Sequence, residues 1–477
     1  MTRRKRGGKR SAAPADRHSA GEDTRPDALR RDQPGGDDQT AAAPRFGFTE
    51  TLHRTIVVLF LVATPIVFWI PAKDPFGLPK EILSRLEGLL ILALVGTAWI
   101  LRGKLPPVGS RDPRILLPIA AVTWTAVAAL FSDQPRASVS SVVTVSLAAV
   151  IFLATLHAAR AIGSRFVHLA FIPAVINALL AWSQGGFGWN PIPMEGSARP
   201  GAPALLGNPN VAGAFLAVPA LAAVAAVVAA RPGRRLFPLL IAVVLFAGLL
   251  FTLTLTAIIA YLAGLLLLFL VRARGRALGI GIAILFVAVG LLALEPRMQK
   301  RFQKMQQAIE TRSFDALVTF RLTAFVSAAR MFADHPITGV GPGRFSWNYF
   351  HYKSVVESDY PRLFPHGPRP MAIFGDAHND HLQVLAETGA PGYAILLIAL
   401  AVVARETFRR RLPGLSTDDD RESIDSRKLA RVLALPLAGC FAVLAMGQFP
   451  LQLAAPRLMI LTFAAICLAW SEDAPPE

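Results

Sequence analysis

Apolar runs of about 17 to 22 residues recur along this chain, bounded by charged residues, prolines or glycines. A helix of that length crosses the roughly 30 Å of hydrocarbon in a bilayer, so each run predicts a transmembrane helix. Leu236 to Val271 is too long for one helix, and a break is predicted at Thr252 to Thr256. About twelve runs qualify, near residues 52–70, 87–101, 115–131, 138–156, 166–183, 210–230, 236–252, 254–271, 278–294, 389–404, 430–448 and 457–471.

Composition supports an all-α, polytopic membrane protein. The chain is 53% hydrophobic and 17% charged, which is too apolar for the surface of a soluble protein. Its net charge of +17 is spread over short basic clusters between apolar runs, which indicates topology and lipid contact and excludes a nucleic-acid partner. Cys440 and Cys467 lie inside apolar runs without ligand spacing, so they are predicted to be packing residues.

The basic clusters also predict orientation and domain organisation. Residues 1–50, rich in Arg, Asp, Gly, Pro and Ala, are predicted to be a disordered basic cytoplasmic tail. Basic residues then recur in alternate loops, so both termini, including the tail at 472–477, are expected in the cytoplasm. Transmembrane helices 1–9 are assigned to 51–294 and helices 10–12 to 389–471. Residues 295–388 between them form a large extracytoplasmic loop with short helices.

The motif His378-Asn379-Asp380-His381 lies in this loop just before the tenth apolar run. A neutral imidazole can accept a proton from a sugar hydroxyl, because its unperturbed pKa of about 6.5 lies close to neutral pH. The alternative is an ordinary polar residue at the membrane interface. Asp376, Asp380 and Glu387 are other possible bases. Asp376, His378 and His381 could also bind a metal, but the spacing lacks a known metal motif, and no metal site is predicted.

Arginines in the same loop suit a diphosphate. Arg321 and Arg344 each carry a planar guanidinium that donates paired hydrogen bonds and stays charged. The alternative is that both are solvated surface charges. The turn at Gly339 to Gly343 follows a predicted helix and contains Pro342, so it is not a dinucleotide-binding loop.

Together these patterns resemble the O-antigen ligase and polymerase superfamily of bacterial envelope glycosyltransferases. That superfamily has about twelve spans and a large periplasmic loop before the last three. It also has a His followed by Asn, Ser or Gln, then nine residues and Gly-x-x-Gly, as in His378-Asn379 and Gly389 to Gly392 here. Other matches are Arg321 with Phe325, the stretch His335 to Gly341, and Gly207-Asn208-Pro209-Asn210. Thr254-Leu255-Thr256 replaces the Ser-Arg-Gly of many relatives, and Arg199 could compensate for the missing arginine.

The resemblance implies transfer of a glycan from an undecaprenyl-diphosphate carrier to an acceptor hydroxyl at the periplasmic face of the bacterial inner membrane, without cofactor or metal. His378 would be the general base or would orient the acceptor. The acceptor would be lipid A core, a growing polysaccharide or a protein, since ligases, polymerases and protein O-oligosaccharyltransferases share these motifs. The implied diphosphate-binding residues are Arg321, Arg344 and Arg199, and the supporting residues are Asn379, Gly389, Gly392 and Asn210.

An alternative of another class is a transporter or flippase for lipid-linked glycans, and a third is a non-catalytic scaffold. Proton-coupled carriers use carboxylates within their spans. Almost no charge is predicted in the middle of a span here, which disfavours a carrier.

Overall fold

The computed structural model describes residues 44–102, 112–192, 201–272, 296–311, 313–360, 374–409 and 423–470, together with residues 290 and 294. These residues form α-helices joined by turns and short 3₁₀ segments, and no β-strand occurs among them apart from one isolated bridge between Ala230 and Ile424. The all-α prediction is confirmed for this part of the chain.

The described helices follow one another as α1 Pro44–Ala63, α2 Gly77–Arg102, α3 Pro113–Leu130, α4 Pro135–Ile162, α5 Arg165–Gly186, α6 Pro209–Ala229, α7 Leu236–Phe251, α8 Leu255–Arg272, α9 Pro296–Glu310, α10 Phe314–Leu317, α11 Leu322–Asp334, α12 Phe345–Asp359, α13 Asp380–Arg405, α14 Ser426–Ala445 and α15 Ala454–Ala469.

Seven of the described helices, α2 to α6, α13 and α14, are long and apolar enough to cross a membrane. Three shorter apolar helices, α7, α8 and α15, accompany them. The protein is therefore a multi-pass membrane protein, while twelve crossings stay a prediction. The apolar run at 278–294 lies outside the described residues except at 290 and 294. Residues 1–43 and 472–477 of the predicted tails also lie outside them.

Helix boundaries differ from the predicted ones where prolines occur. α1 begins at Pro44, so residues 44–50 of the predicted disordered tail are helical. It ends at Ala63 instead of continuing to residue 70, because Pro65 follows and a proline disfavours helical geometry in the residue before it. The predicted break between α7 and α8 is confirmed, since α7 ends at Phe251 and α8 begins at Leu255.

α2 corrects the expectation that almost no charge lies within the spans. It begins ten residues earlier than predicted, so its apolar stretch includes several charged residues. Glu87 is fully buried, and neither carboxylate oxygen has a hydrogen-bond partner within the described chain. Glu81 pairs with Arg457 of α15 at 2.9 Å, and Lys80 donates to the Leu205 carbonyl at 2.8 Å. Prediction missed Glu81 and Lys80 because their partners are distant in sequence.

The core is built around α6, which packs against α5, α7, α8, α14 and α15. Sixteen of its 21 residues are buried, and ten of those sixteen are alanine or glycine. Small side chains let helix backbones approach closely, which is how helices associate in lipid without a hydrophobic driving force. At the start of α6 the Thr254 hydroxyl donates to the Pro209 carbonyl at 2.8 Å, so the break before α8 lies against this end of α6.

Candidate functional site

α13 contains both the motif-bearing segment and an apolar span, joined by a kink at Gly389. Gly389 has φ of 69°, and a Cβ there would collide with the Ile337 carbonyl, so only glycine fits without strain. The next amide, of Ala390, donates to the Pro336 carbonyl at 2.8 Å. Gly392 lies one turn on, where α13 packs against Trp124 of α3. Both glycines of the predicted motif therefore allow close packing.

His378 lies two residues before α13 in a left-handed backbone conformation, with φ of 54°. Histidine adopts this conformation more readily than most residues, but it is still uncommon. The imidazole lies between two aromatic rings, with centroids 5.5 Å from Phe374 and 4.5 Å from Phe449, and both contacts are edge-to-face. The side chain is only partly buried. The ring is thus held in place by packing while part of it is open to a substrate.

The two residues after His378 attach it to the segment between α14 and α15. Asn379 caps α13 by accepting a hydrogen bond from the Leu382 amide at 3.0 Å, and its Nδ2 donates to the Met446 carbonyl at 3.0 Å. Asp380 is fully buried, and its Oδ2 accepts from the Leu451 amide at 2.8 Å. Asp380 Oδ1 has no hydrogen-bond partner among the described residues.

Arg321 reaches the same segment from α11. Its Nη1 donates to the Gly447 carbonyl at 2.9 Å, next to the carbonyl that accepts from Asn379. Phe449, two residues further on, packs against His378. We call residues 446–451 the bridging segment, because it joins the candidate base to the candidate diphosphate-binding arginine. Sequence reasoning missed it, since backbone carbonyls leave no signal in residue type.

Arg344 lies at the start of α12, where it is 4% exposed. Its guanidinium carbon is 4.9 Å from the centroid of the Trp347 ring, which is a cation–π contact. The Nε and Nη1 atoms are buried and have no hydrogen-bond partner among the described residues. Burial of these donors without partners is costly, and an anion would satisfy them. The predicted alternative of a solvated surface charge is wrong for Arg344.

A buried hydrogen-bond chain links the Arg344 turn to the His378 segment. Glu387 accepts from the amides of Gly343 at 2.9 Å and Phe345 at 3.2 Å, at the positive end of α12. Gln383 donates to Glu387 at 3.3 Å and to Asp376 at 3.1 Å. Its Oε1 also accepts from the amide of Ala377, the residue before His378, at 3.0 Å.

These contacts give the nearby carboxylates mainly structural roles. Glu387 is occupied by two amides and a glutamine, so it is poorly suited to be the base. Burial raises the pKa of Asp376 above its usual range, and the hydrogen bond from Gln383 acts in the opposite direction. His378 is partly open, and an unperturbed imidazole has a pKa of about 6.5, so it stays the candidate base predicted from the motif.

Both ring nitrogens of His381 lie within hydrogen-bond distance of protein oxygens. Its Nε2 lies 2.9 Å from the Ala442 carbonyl, and its Nδ1 lies 3.3 Å from the Tyr393 hydroxyl. A carbonyl can only accept, so Nε2 carries the proton and Nδ1 accepts from the tyrosine. In the described parts of the chain, no three His, Cys, Asp or Glu residues are arranged to hold a metal ion. The alternative metal site at Asp376, His378 and His381 gains no geometric support.

Two further predicted residues do not join this group in the described structure. Arg199 lies outside the described residues. Asn210 is the second residue of α6, and its amide donates to the Asn208 side chain at 2.9 Å, which places its backbone in a helix cap. Leu255, in place of the family arginine, begins α8.

The comparison with known families agrees with the motif. A family model described as O-antigen ligase matches residues 240–397, which include Arg321, Arg344, His378, Gly389 and Gly392. No curated protein matches the chain.

Proposed function

Since residues 240–397 place the chain in the O-antigen ligase superfamily, we propose that it transfers a glycan from an undecaprenyl-diphosphate carrier to an acceptor hydroxyl. The site would face the periplasm from the bacterial inner membrane, with both termini in the cytoplasm. The observation that carries the proposal is the bridging segment. Asn379, the residue after His378, and Arg321 donate to its neighbouring carbonyls at Met446 and Gly447, and its Phe449 ring packs against His378. A base and a cation are the two groups that this transfer requires.

In the proposed reaction the acceptor oxygen attacks the anomeric carbon of the glycan while the bond from that carbon to the diphosphate breaks. His378 takes the proton of the acceptor hydroxyl. Undecaprenyl diphosphate leaves with the electron pair of the broken bond, and Arg321 stabilises the negative charge that it gains. The two aromatic rings beside His378 fix the direction of the imidazole before the acceptor arrives.

Arg344 is proposed as a second diphosphate-binding residue. Its buried donors, which lack partners among the described residues, support this role, because phosphate oxygens would accept from them. The chain through Glu387 and Gln383 links its turn to the His378 segment. Arg199 stays in the proposal as a predicted contributor on the family pattern alone.

The acceptor is proposed to be lipid A core, a growing polysaccharide or a protein, since the superfamily motif is shared by all three activities. A transporter or flippase of lipid-linked glycans is the alternative of another class. Glu87, buried within α2, is the type of group that a proton-coupled carrier uses. The match to a ligase family, together with the His378 and Arg321 arrangement, favours bond-breaking chemistry over transport.

The test is release of undecaprenyl diphosphate from a lipid-linked glycan by the purified protein, with candidate acceptors and with EDTA present. His378→Ala is expected to lower the rate by about 100- to 10,000-fold, the usual contribution of a general base. Arg321→Ala is expected to lower it by a similar factor. His351→Ala and Arg330→Ala are matched controls, because both residues are exposed on neighbouring helices.

Release by the wild type and both controls, unaffected by EDTA, would support metal-independent transfer. Normal release by well-folded His378→Ala would refute the role of this residue. Transport of the lipid-linked glycan into the opposite leaflet without release would favour the flippase alternative. Loss of release in EDTA would indicate that the reaction needs a metal ion.

A further inference from the structure

Helix α9, Pro296–Glu310, has a strongly amphipathic sequence that the proposed reaction does not use. Phe302, Met305 and Ile309 are three and four residues apart, so they share one face of the helix. Phe302 is 44% exposed and Ile309 is 62% exposed, so this face is not covered by the described protein. Ala308, on another side, is buried and attaches the helix to the rest of the chain.

Basic residues contribute to the polar side of the helix. The helix sequence contains two lysines and two arginines against a single acidic residue, Glu310. Lys300 and Lys304 are one turn apart and exposed. An exposed apolar stripe opposite a basic polar side is the pattern of a helix that lies in the plane of a membrane surface, where long lysine side chains reach back towards anionic headgroups.

The position of α9 in the chain supports the same partner. The apolar run at 278–294 ends two residues before Pro296, and Leu294 is 69% exposed. The span predicted from this run would leave the chain at the bilayer surface, where α9 begins. The helix is about 22 Å long at 1.5 Å per residue, so its apolar face can remain in the interface along its whole length.

We propose that α9 is an interfacial anchor, which buries Phe302, Met305 and Ile309 at the headgroup boundary and binds anionic lipid through Lys300 and Lys304. Helices of this kind bury their apolar face about 5–10 Å into the boundary between headgroups and acyl chains. The partner is the lipid surface itself. The anchor holds the start of the segment that carries Arg321 and Arg344 against the membrane.

The experiment places a fluorophore on the full-length protein in lipid nanodiscs, through Ile309→Cys or, as the matched control, Gln307→Cys. Gln307 is exposed on the opposite side of the same helix. Cys440 and Cys467 are buried, and unsubstituted protein treated with the dye measures any background labelling. The nanodiscs contain lipids brominated on the acyl chain near the headgroup, with neutral lipid alone or with phosphatidylglycerol added.

The expected result is several-fold stronger quenching at position 309 than at 307. Phosphatidylglycerol should increase quenching at 309, and Lys300→Gln with Lys304→Gln should remove that increase. Equal quenching at both positions would overturn the proposal. A label at 309 that is shielded from water yet unquenched would also overturn it, because protein would then cover the face. Quenching indifferent to phosphatidylglycerol would overturn the anionic-lipid role of the lysines.

Discussion

Replacing Gln383 with methionine is expected to slow glycan transfer while leaving the protein folded. Gln383 is 3% exposed, and its amide accepts from Ala377 and donates to Asp376 and Glu387. Methionine has a similar length and fills the same space without polar atoms. The substitution therefore removes three hydrogen bonds from the chain that holds the His378 segment.

The magnitude follows from the Ala377 amide, which lies in a residue with no exposed surface. Leaving a buried N–H without a partner costs about 1–3 kcal/mol. The Ala377 amide can find another partner only if its segment moves. Because His378 is the next residue, its imidazole would move as well. The population with His378 in its present place should then fall by about 5- to 150-fold, and kcat should fall by the same factor.

The assay measures initial rates of undecaprenyl diphosphate release over a range of donor concentrations, with monodispersity and thermal stability measured on the same preparations. We expect kcat to fall and the KM for the donor to change little, because Gln383 acts through His378. In a His378→Ala background the substitution should have no further effect on the rate. A fall in rate in that background, or wild-type kcat in the single variant, would refute the positioning role.

Three other changes test separate contacts. Gly389→Ala should lower thermal stability, since a positive φ costs a non-glycine residue about 1–3 kcal/mol and the new Cβ would meet the Ile337 carbonyl. An unchanged melting temperature would contradict the need for glycine at this kink. Phe449→Leu should reduce transfer by up to about tenfold, because an edge-to-face ring contact contributes about 0.5–1.5 kcal/mol; rates equal to wild type would exclude a role in holding His378. Asp376→Asn should be more stable than wild type at neutral pH, and the difference should disappear in acid. The folded state raises the pKa of the Asp376 carboxyl, so the wild type loses stability as pH rises above 3.8, whereas asparagine does not titrate. An equal difference in the free energy of unfolding at every pH would refute this.

Sequence patterns predicted the all-α architecture and the apolar helices of the described residues. The break before α8 and the His378 motif at the start of α13 follow from residue type and spacing, which act locally. The predicted span at 87–101 excludes Lys80, Glu81 and Arg85 and begins at Glu87, because charged residues mark the borders of apolar runs. In the structure Glu81 has Arg457 as a partner, and no local pattern reveals a partner that far along the chain.

Only the side chains with distinctive chemistry in the candidate site could be predicted, for the same reason. His378, Arg321 and Arg344 have side chains whose chemistry suggests a role on its own. Phe449 contacts His378 from 71 positions away, and the Gly447 carbonyl that accepts from Arg321 belongs to the backbone. Tertiary packing decides such contacts, so spacing along the chain does not encode them.

The bridging segment also has a consequence for biosynthesis. Residues 446–451 follow α14, so they leave the ribosome after nearly the whole chain has been made. A chain interrupted before Met446 contains His378, Asn379 and Arg321 but lacks the carbonyls and the ring that hold them. Truncated or stalled products are therefore expected to carry these predicted site residues and yet be inactive.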